Sequence, residues 1–490
     1  MVGPPSNSGR DAAQRAHAMA LVSNDRPSPT SSPPEAWAPL VHLARRARRP
    51  LDRFLQIEAA SGIVLLVLAA VAMAWANSPW AASYFRLWET PLGVHLGGAA
   101  FERPLAWFVN DGLMAIFFFV VGLEIRRESH HGELSEWRRA ALPAAAALGG
   151  MVAPALLYLA IAGAPSTRSG WGVPMATDIA FAVGVLTLLG RRVPAALRVL
   201  LLALAVIDDL GAIVVIALFY SAGISLSGLL VVALGLGLLF AMRALGVRQK
   251  LLYVIPGVVV WAGVYAAGIH PTIAGVLIGL LTPVRAWLGP RGFADTVRAE
   301  LDQLSEVPSG ALTTHGLAET LNHVDAARRE AISPASSLIE TLHPWVAFVI
   351  MPLFALANAG VSLRGLSLDH GNATVALGAA VGLVVGKPVG VLIACAIALR
   401  LRVATLPRGL GARHLVTLGV VAGVGFTMAL FIAQLAFRDA AMLSAAKLGV
   451  LLASAFAGVL GLALGRGLLR ETEHPGAAES ADEAESSTEL

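Results

Sequence analysis

The chain has 490 residues, 56% of them hydrophobic and only 14% charged, with a mean hydropathy of +0.71, and this excludes an ordinary soluble globular profile. The formal net charge is +4 and the pI about 9.6. The basic residues lie in short segments between apolar runs, so the excess is a topology signal and not a nucleic-acid surface.

Residues 1–50, rich in Pro, Ser and Ala and without a signal-peptide core, read as a disordered cytoplasmic tail. The basic run "RRARR" near its end reads as a topology signal and lipid-headgroup contact. Residues 51–470 read as one membrane domain, and 471–490 as an acidic disordered tail. Within the domain, twelve runs have roughly the length of a bilayer-spanning helix: 57–76, 104–125, 140–163, 171–190, 194–220, 224–242, 251–269, 271–288, 343–363, 373–399, 414–437 and 441–468. The seventh and eighth are one stretch divided at "GIHPTIAG" by His270 and Pro271. The first outside loop, "LGVHLGGAAFERP", has the composition of a short hairpin. The loop at 289–337 is extended, with amphipathic helical patterns at "ADTVRAELDQL" and "AARREAI". The lone cysteine, Cys395, falls in the tenth run, so no disulfide forms within the chain.

With the N-terminus inside, inside-facing segments carry the basic clusters, such as Arg45, Arg46, Arg48 and Arg49, then Arg126, Arg127, Arg138 and Arg139. The outside segments hold only Arg86, Arg103, Arg168, Arg364 and Arg438. This asymmetry predicts twelve spans with both ends cytoplasmic.

Few ionisable residues lie deep in the spans: Asp111, Asp178, Asp208, Asp209 and Lys387, with Glu124 and Lys447 nearer the ends. Asp208 and Asp209 are adjacent, about 100° apart on a helix, and cannot share one face. One is placed to face a water-filled cavity and the other to pair sideways; Lys387 is the only deep cation and the natural partner. Buried ion pairs sometimes only pin helices together. Here one lysine cannot neutralise three acids, and surplus carboxylates at membrane depth are costly without an exchangeable cation. A carboxylate that takes either a proton or a small hard cation is a competition site, and no Cys/His cluster suggests a softer metal.

The fourth span, with Pro174, Thr177, Asp178 and Gly184, and the eleventh, with Gly419, Gly423 and Gly425 before Thr427, are interrupted at corresponding places. Spans 3–5 and 10–12 are offset by seven, an odd number, so equivalent helices cross in opposite senses, as an inverted repeat requires. The expected fold is therefore an all-α integral membrane protein of twelve transmembrane helices. It has inverted-topology repeats and two interrupted helices, 4 and 11, crossing near the midplane. Helix N-termini at such a crossing favour an anion such as Asp178, and C-termini a cation such as Lys387.

The segments "VPMATDIAFAVGVL", "LALAVIDDLGAI", "VVGKPVG" and "VGFTMALFIAQLAF" resemble the bacterial NhaA sodium/proton antiporters, as do "VNDGLMAIFFFVVGLEIRRE" and "LHPWVAFVIMPLFALANAGVSL". The resemblance runs from about residue 52 to 468 with the motifs in family order. It implies that Asp209 is the cation ligand and Asp208 the partner of Lys387, with Thr177 and Asp178 at the crossing; Asp178 compensates helix ends, and it and Thr177 also belong to the ion- and proton-binding set. Asp208 and Asp209 would hold Na⁺ or Li⁺ transiently. It further implies electrogenic export of Na⁺ or Li⁺ against protons, serving cytoplasmic pH and sodium homeostasis from the bacterial inner membrane. Glu124, Arg127 and Glu128, with Glu340 and His343, resemble a cytoplasmic pH-response cluster; an ordinary charged funnel is the plainer alternative. Asp111 and His270 match polar positions of the family and read more simply as structural groups. The implied partners are the bilayer and a second copy through the first outside loop, with no cofactor, nucleic acid or soluble protein. The long N-terminal tail, Pro271 and the extended 289–337 loop depart from the family pattern, and the loop enters the pH-response region. An intramembrane aspartyl protease and a passive cation channel are the competing classes. The first lacks its Gly-x-Gly-Asp pattern, and the second its repeated filter loops.

Overall fold

A computed structural model describes residues 58–469, except 97–98, 133–134, 222, 224, 248, 307–313 and 365–368. Both predicted tails lie outside the described residues. Helix α1 (Glu58–Ala76) bends by 112° into a short α2 (Ala81–Glu89) that the hydropathy pattern does not announce. The sequence of α2 is amphipathic: it buries Tyr84 and Trp88 and leaves Arg86 exposed, so its mean polarity hides it from a search for spans. The predicted hairpin follows, with β1 (Pro91–Leu96) antiparallel to β2 (Ala99–Pro104). It is pinned to the helices by Arg103, which donates to the Tyr265 hydroxyl at 2.7 Å, while just beyond β2 Trp107 packs against Trp261 at 5.8 Å.

Helix α3 (Leu105–His130) has a π-helical turn at Phe108–Leu113 and runs past the predicted end near 125. The apolar pattern stops there, but Glu and Arg are good helix formers and continue the helix into its charged last turns. Then come α4 (Trp137–Ala162), a 3₁₀ segment (Arg168–Met175), α5 (Ile179–Leu188), α6 (Ala195–Phe219), α7 (Leu226–Ala244), α8 (Val254–Ala266) and α9 (Thr272–Leu281). The eighth predicted span is thus shorter than 271–288, because Thr282 and Pro283 leave the helical region. The extended loop contains two helices packed on each other, α10 (Gly289–Glu306) and α11 (Thr314–Ala331).

The ninth predicted span begins earlier, as α12 (Pro334–Asn358), because Ser333 caps it by accepting from Ser336 N–H at 3.2 Å and Pro334 suits a first turn. The chain closes with α13 (His370–Arg400), which has a π-helical turn at Gly382–Gly386, then α14 (Ala412–Ala422), α15 (Phe426–Ala436) and α16 (Ala440–Leu468). Asp439 caps α16 by accepting from Ala441 and Met442 N–H groups.

Among the described residues eight helices are long and apolar enough to cross a membrane, or ten if the bent pairs α1–α2 and α14–α15 each count once. The helices also face as a bilayer requires. On α7, Leu226, Leu230 and Leu234 recur four apart and are 73%, 66% and 69% exposed. Asp178, Asp208, Asp209 and Lys387 are at most 1% exposed. Apolar outside and polar inside is the profile of a multi-pass membrane protein.

Close backbone approach positions the site. Helices α4 and the second half of α13 pack together, with Gly149 and Gly390 face to face: a Cβ on either would run into the carbonyl oxygen of the other. Lys387 lies one turn before Gly390, so this contact sets where its side chain starts. Rings of Phe118 and Phe354 pack on Phe431 at 5.5 and 6.1 Å and fill the core beside α15.

Candidate functional site

Two chain breaks meet at the centre of the polar cluster. After the 3₁₀ segment, residues 176–178 are extended before α5; between α14 and α15, Gly423, Val424 and Gly425 interrupt the helix with a 46° bend. The breaks are stitched together: Asp178 N–H donates to the Val424 carbonyl at 2.8 Å. The Thr177 hydroxyl lies 3.0 Å from the Ala422 carbonyl and 2.7 Å from Asp208 Oδ2, both acceptors for its one proton. Each break leaves helix-end groups that have no partner within their own helix, and some of them find one in the other segment.

Asp178 serves two helix starts. Its Oδ1 accepts from Phe181 N–H at 3.0 Å, capping α5, and its Oδ2 accepts from Thr427 N–H at 3.1 Å and from the Thr427 hydroxyl. A carboxylate suits the place, since two positive helix ends converge on it.

Lys387 and Asp208 form a buried ion pair, Nζ to Oδ2 at 2.6 Å, with side chains 0% and 1% exposed. The ammonium also donates to the Met175 carbonyl at the end of the 3₁₀ segment, so a cation sits on a helix C-terminus. Asp208 is thereby tied down on one oxygen; its Oδ1 has no hydrogen-bond partner.

Asp209 is the exception. It is 1% exposed, and neither of its carboxylate oxygens has a hydrogen-bond partner. Burial is the main penalty on a charge there; the nearby carboxylates of Asp208, Glu124 and Asp178 add to it, and Lys387 opposes it. A bare carboxylate in such surroundings costs several kcal/mol, on the order of an unpaired buried charge. A proton or a small cation relieves that cost, which is the chemistry of exchange. No group of three or more His, Cys, Asp or Glu side chains arranged to hold a metal occurs among the described residues.

The remaining predicted residues fall in two places. Glu124 lies on α3 among the charges of Arg127 and Glu128, which pair with each other at 3.4 Å. Glu340 and His343 sit exposed on α12, which packs on α3 with Ala335 and Ile339 clustered about Leu123; Val284, beyond α9, joins the same cluster. The charge of Glu340 acts on Lys250. Asp111 and His270 face each other, Oδ1 to Nε2 at 3.4 Å, and His270 Nδ1 is 2.8 Å from the Thr272 hydroxyl.

Several participants escape sequence reasoning. Thr427 is visible only as the polar residue after a glycine run. The Met175 and Ala422 carbonyls carry no side-chain signal at all. Ser454, on α16, accepts from Phe426 N–H at 2.9 Å, and Asn358 bridges Asn110 and Gln434. Nothing in their local sequence distinguishes these from packing residues.

Known proteins resemble the chain along almost its whole length. The family described as Na⁺/H⁺ antiporter 1 matches residues 52–464. The chain is 67% identical over 464 residues to the Na(+)/H(+) antiporter NhaA 2 of Myxococcus xanthus (strain DK1622), covering 95% of this chain and 99% of that protein. It is 56% identical over 460 residues to the Na(+)/H(+) antiporter NhaA 2 of Sorangium cellulosum (strain So ce56), covering 94% and 98%. A third relative of the same name, from Pseudomonas putida (strain KT2440), is 50% identical over 425 residues, covering 86% and 94%.

Proposed function

The chain belongs to the Na⁺/H⁺ antiporter 1 family and exchanges Na⁺ for protons across a membrane, and from that premise we propose that Asp209 is the carboxylate at which the two ions compete. One observation carries the proposal: Asp209 is buried with both oxygens unpartnered, beside an ion pair that already engages Lys387 and one oxygen of Asp208. In this reading Asp209 releases its proton to the cytoplasm and takes Na⁺ or Li⁺ there, with the free Oδ1 of Asp208 as a second oxygen ligand. Facing outward, it gives up the cation and takes a proton. Asp178 and Lys387 neutralise the converging helix ends, so the crossing keeps its internal bonds while access alternates. More protons enter than cations leave, making the exchange electrogenic. The protein is a transporter and not an enzyme.

The finer architecture belongs to the same reading. With α8 and α9 added to the ten apolar crossings, the chain makes twelve spans with both termini cytoplasmic, in a bacterial inner membrane. Spans 3–5 and 10–12 form the inverted repeat, and the two breaks lie near the midplane. The charged ends of α3 and α12 form the pH-response surface, and the β1–β2 hairpin joins two copies in a homodimer. The adjacency of α3 and α12 supports the former, and the paired strands with Leu92 and Phe101 exposed support the latter.

The test is Na⁺-induced collapse of ΔpH in everted membrane vesicles, native chain against Asp209→Asn, across pH 6.5–8.5 (roughly the range in which clustered acids and histidines titrate). Exchange by the native chain and none by the variant is the expected result. Normal exchange by Asp209→Asn refutes the assignment and moves the competition site to Asp208 and Asp178.

A further inference from the structure

The break before α15 leaves N–H groups that no residue of its own helix accepts. They are divided between two anchors. Thr427 N–H goes to Asp178, on the other interrupted segment; Phe426 N–H goes to the hydroxyl of Ser454, on the continuous helix α16. Ser454 is 1% exposed and is the one buried polar side chain on α16 among the described residues. Its neighbours along the buried face, Ala453, Ala457 and Gly458, offer no alternative acceptor.

We infer that Ser454 is a positioning residue for ion exchange: its neutral hydroxyl caps α15 from α16 and so reserves Asp178 for Thr427 and for α5. The inference rests on the reading that Asp209 is the exchanging carboxylate. A serine provides the acceptor without adding another negative charge to a cluster that already holds Asp178, Asp208 and Asp209. Without it, the Phe426 N–H is left in a dry interior, where an orphan donor is costly. The carboxylate serving the very next N–H is Asp178. A further donor drawn to Asp178, which already accepts from Phe181 N–H, Thr427 N–H and the Thr427 hydroxyl, redistributes its charge and shifts the junction of the two breaks. Asp178 follows Thr177, whose hydroxyl lies 2.7 Å from Asp208 Oδ2, and Asp208 adjoins Asp209, so a change at Ser454 reaches the cation site without touching the ion. The ring of Phe426 packs against Phe181 at 5.8 Å, so movement of the α15 start is also felt at the start of α5.

The test uses the full chain reconstituted in proteoliposomes, measuring KM for Na⁺, kcat and the pH profile of exchange. Ser454→Ala is expected to raise KM for Na⁺ by roughly three- to tenfold, the scale of one buried hydrogen bond, with kcat changed less than about twofold and the pH profile displaced. Ser454→Thr keeps the hydroxyl and is expected to stay close to native; Ser454→Cys, a weaker acceptor of similar size, is expected between the two. If Ser454→Ala keeps native KM and pH profile, even with a lower melting temperature, the hydroxyl serves the fold alone and the inference is overturned. A Thr variant as impaired as Ala overturns it too, since packing and not the hydroxyl is then responsible. Asp209→Asn is run alongside: its normal activity brings down the underlying site assignment, whereas an inactive Asp209→Asn with a native-like Ser454→Ala removes only the role of Ser454.

Discussion

Replacing Lys387 by methionine keeps most of the side-chain volume and removes the charge from the most buried ion pair among the described residues. Nζ and Asp208 Oδ2 are 2.6 Å apart with both side chains at most 1% exposed, so solvent screening is minimal. At that separation Coulomb attraction amounts to about 6 kcal/mol at an effective dielectric of ~20. Desolvation of the two ions offsets part of it, and removing one partner of a buried pair typically costs about 3–5 kcal/mol because the other charge is stranded. For a chain of 490 residues, an unfolding entropy of about 2 cal/mol/K per residue converts each kcal/mol to about 1 °C, so Lys387→Met should lower the melting temperature by roughly 3–5 °C. The assay is intrinsic tryptophan fluorescence during heating of the purified protein in detergent at pH 8. The sign with pH follows from what is stranded: the deficit is the cost of a bare Asp208 carboxylate, so it is greatest at high pH and shrinks as acid protonates that group. Lys387→Met with Asp208→Asn removes both charges and should recover much of the loss. A single variant that melts within about 2 °C of the native chain refutes the reasoning, as does a double variant whose loss is the sum of the two singles.

Competition at one carboxylate predicts that KM for Na⁺ falls as pH rises, by up to about tenfold per pH unit for each competing proton; a KM independent of pH across the active range argues against a shared site. Gly390→Val should cost about 1–3 kcal/mol by forcing its Cβ into the Gly149 carbonyl one turn from Lys387, whereas Gly467→Ala meets nothing within 4 Å and should melt like the native chain. Equal melting temperatures for the two variants remove the close-packing account. Replacing residues 92–103 by a short Gly/Ser linker should convert a dimer to a monomer by light scattering while each protomer still exchanges; a dimer that survives the deletion rules out the hairpin as its contact.

Much of the architecture is legible in one dimension because a bilayer imposes a local rule: a span must be roughly 20 apolar residues long, and a polar backbone must be satisfied within it. The long runs now seen as α3, α4, α6, α7, α13 and α16 are therefore plain in the sequence. Elements that obey no such rule are not. Helix α2 is amphipathic and short; the charged end of α3 and the start of α12 lie outside the apolar windows; and Pro283 shortens α9 by a means hydropathy does not weigh.

The same division runs through the site. Sequence alone isolates the improbable residues, Asp178, Asp208, Asp209 and Lys387, because ionisable groups at membrane depth are costly enough to be rare. It also shows that Asp208 and Asp209, about 100° apart, must have different surroundings. Which acid meets the lysine is a question no local pattern answers, since Lys387 lies 179 residues from Asp208. The packing of α13 against α4 delivers that ammonium to Asp208 and to the Met175 carbonyl, and leaves Asp209 without a partner. The sharing of Asp178 between α5 and α15, and the cap from Ser454, arise likewise from helix ends meeting in space. Residue type and spacing decide what can be buried; only the tertiary fold decides which buried groups satisfy one another and which one is left without a partner.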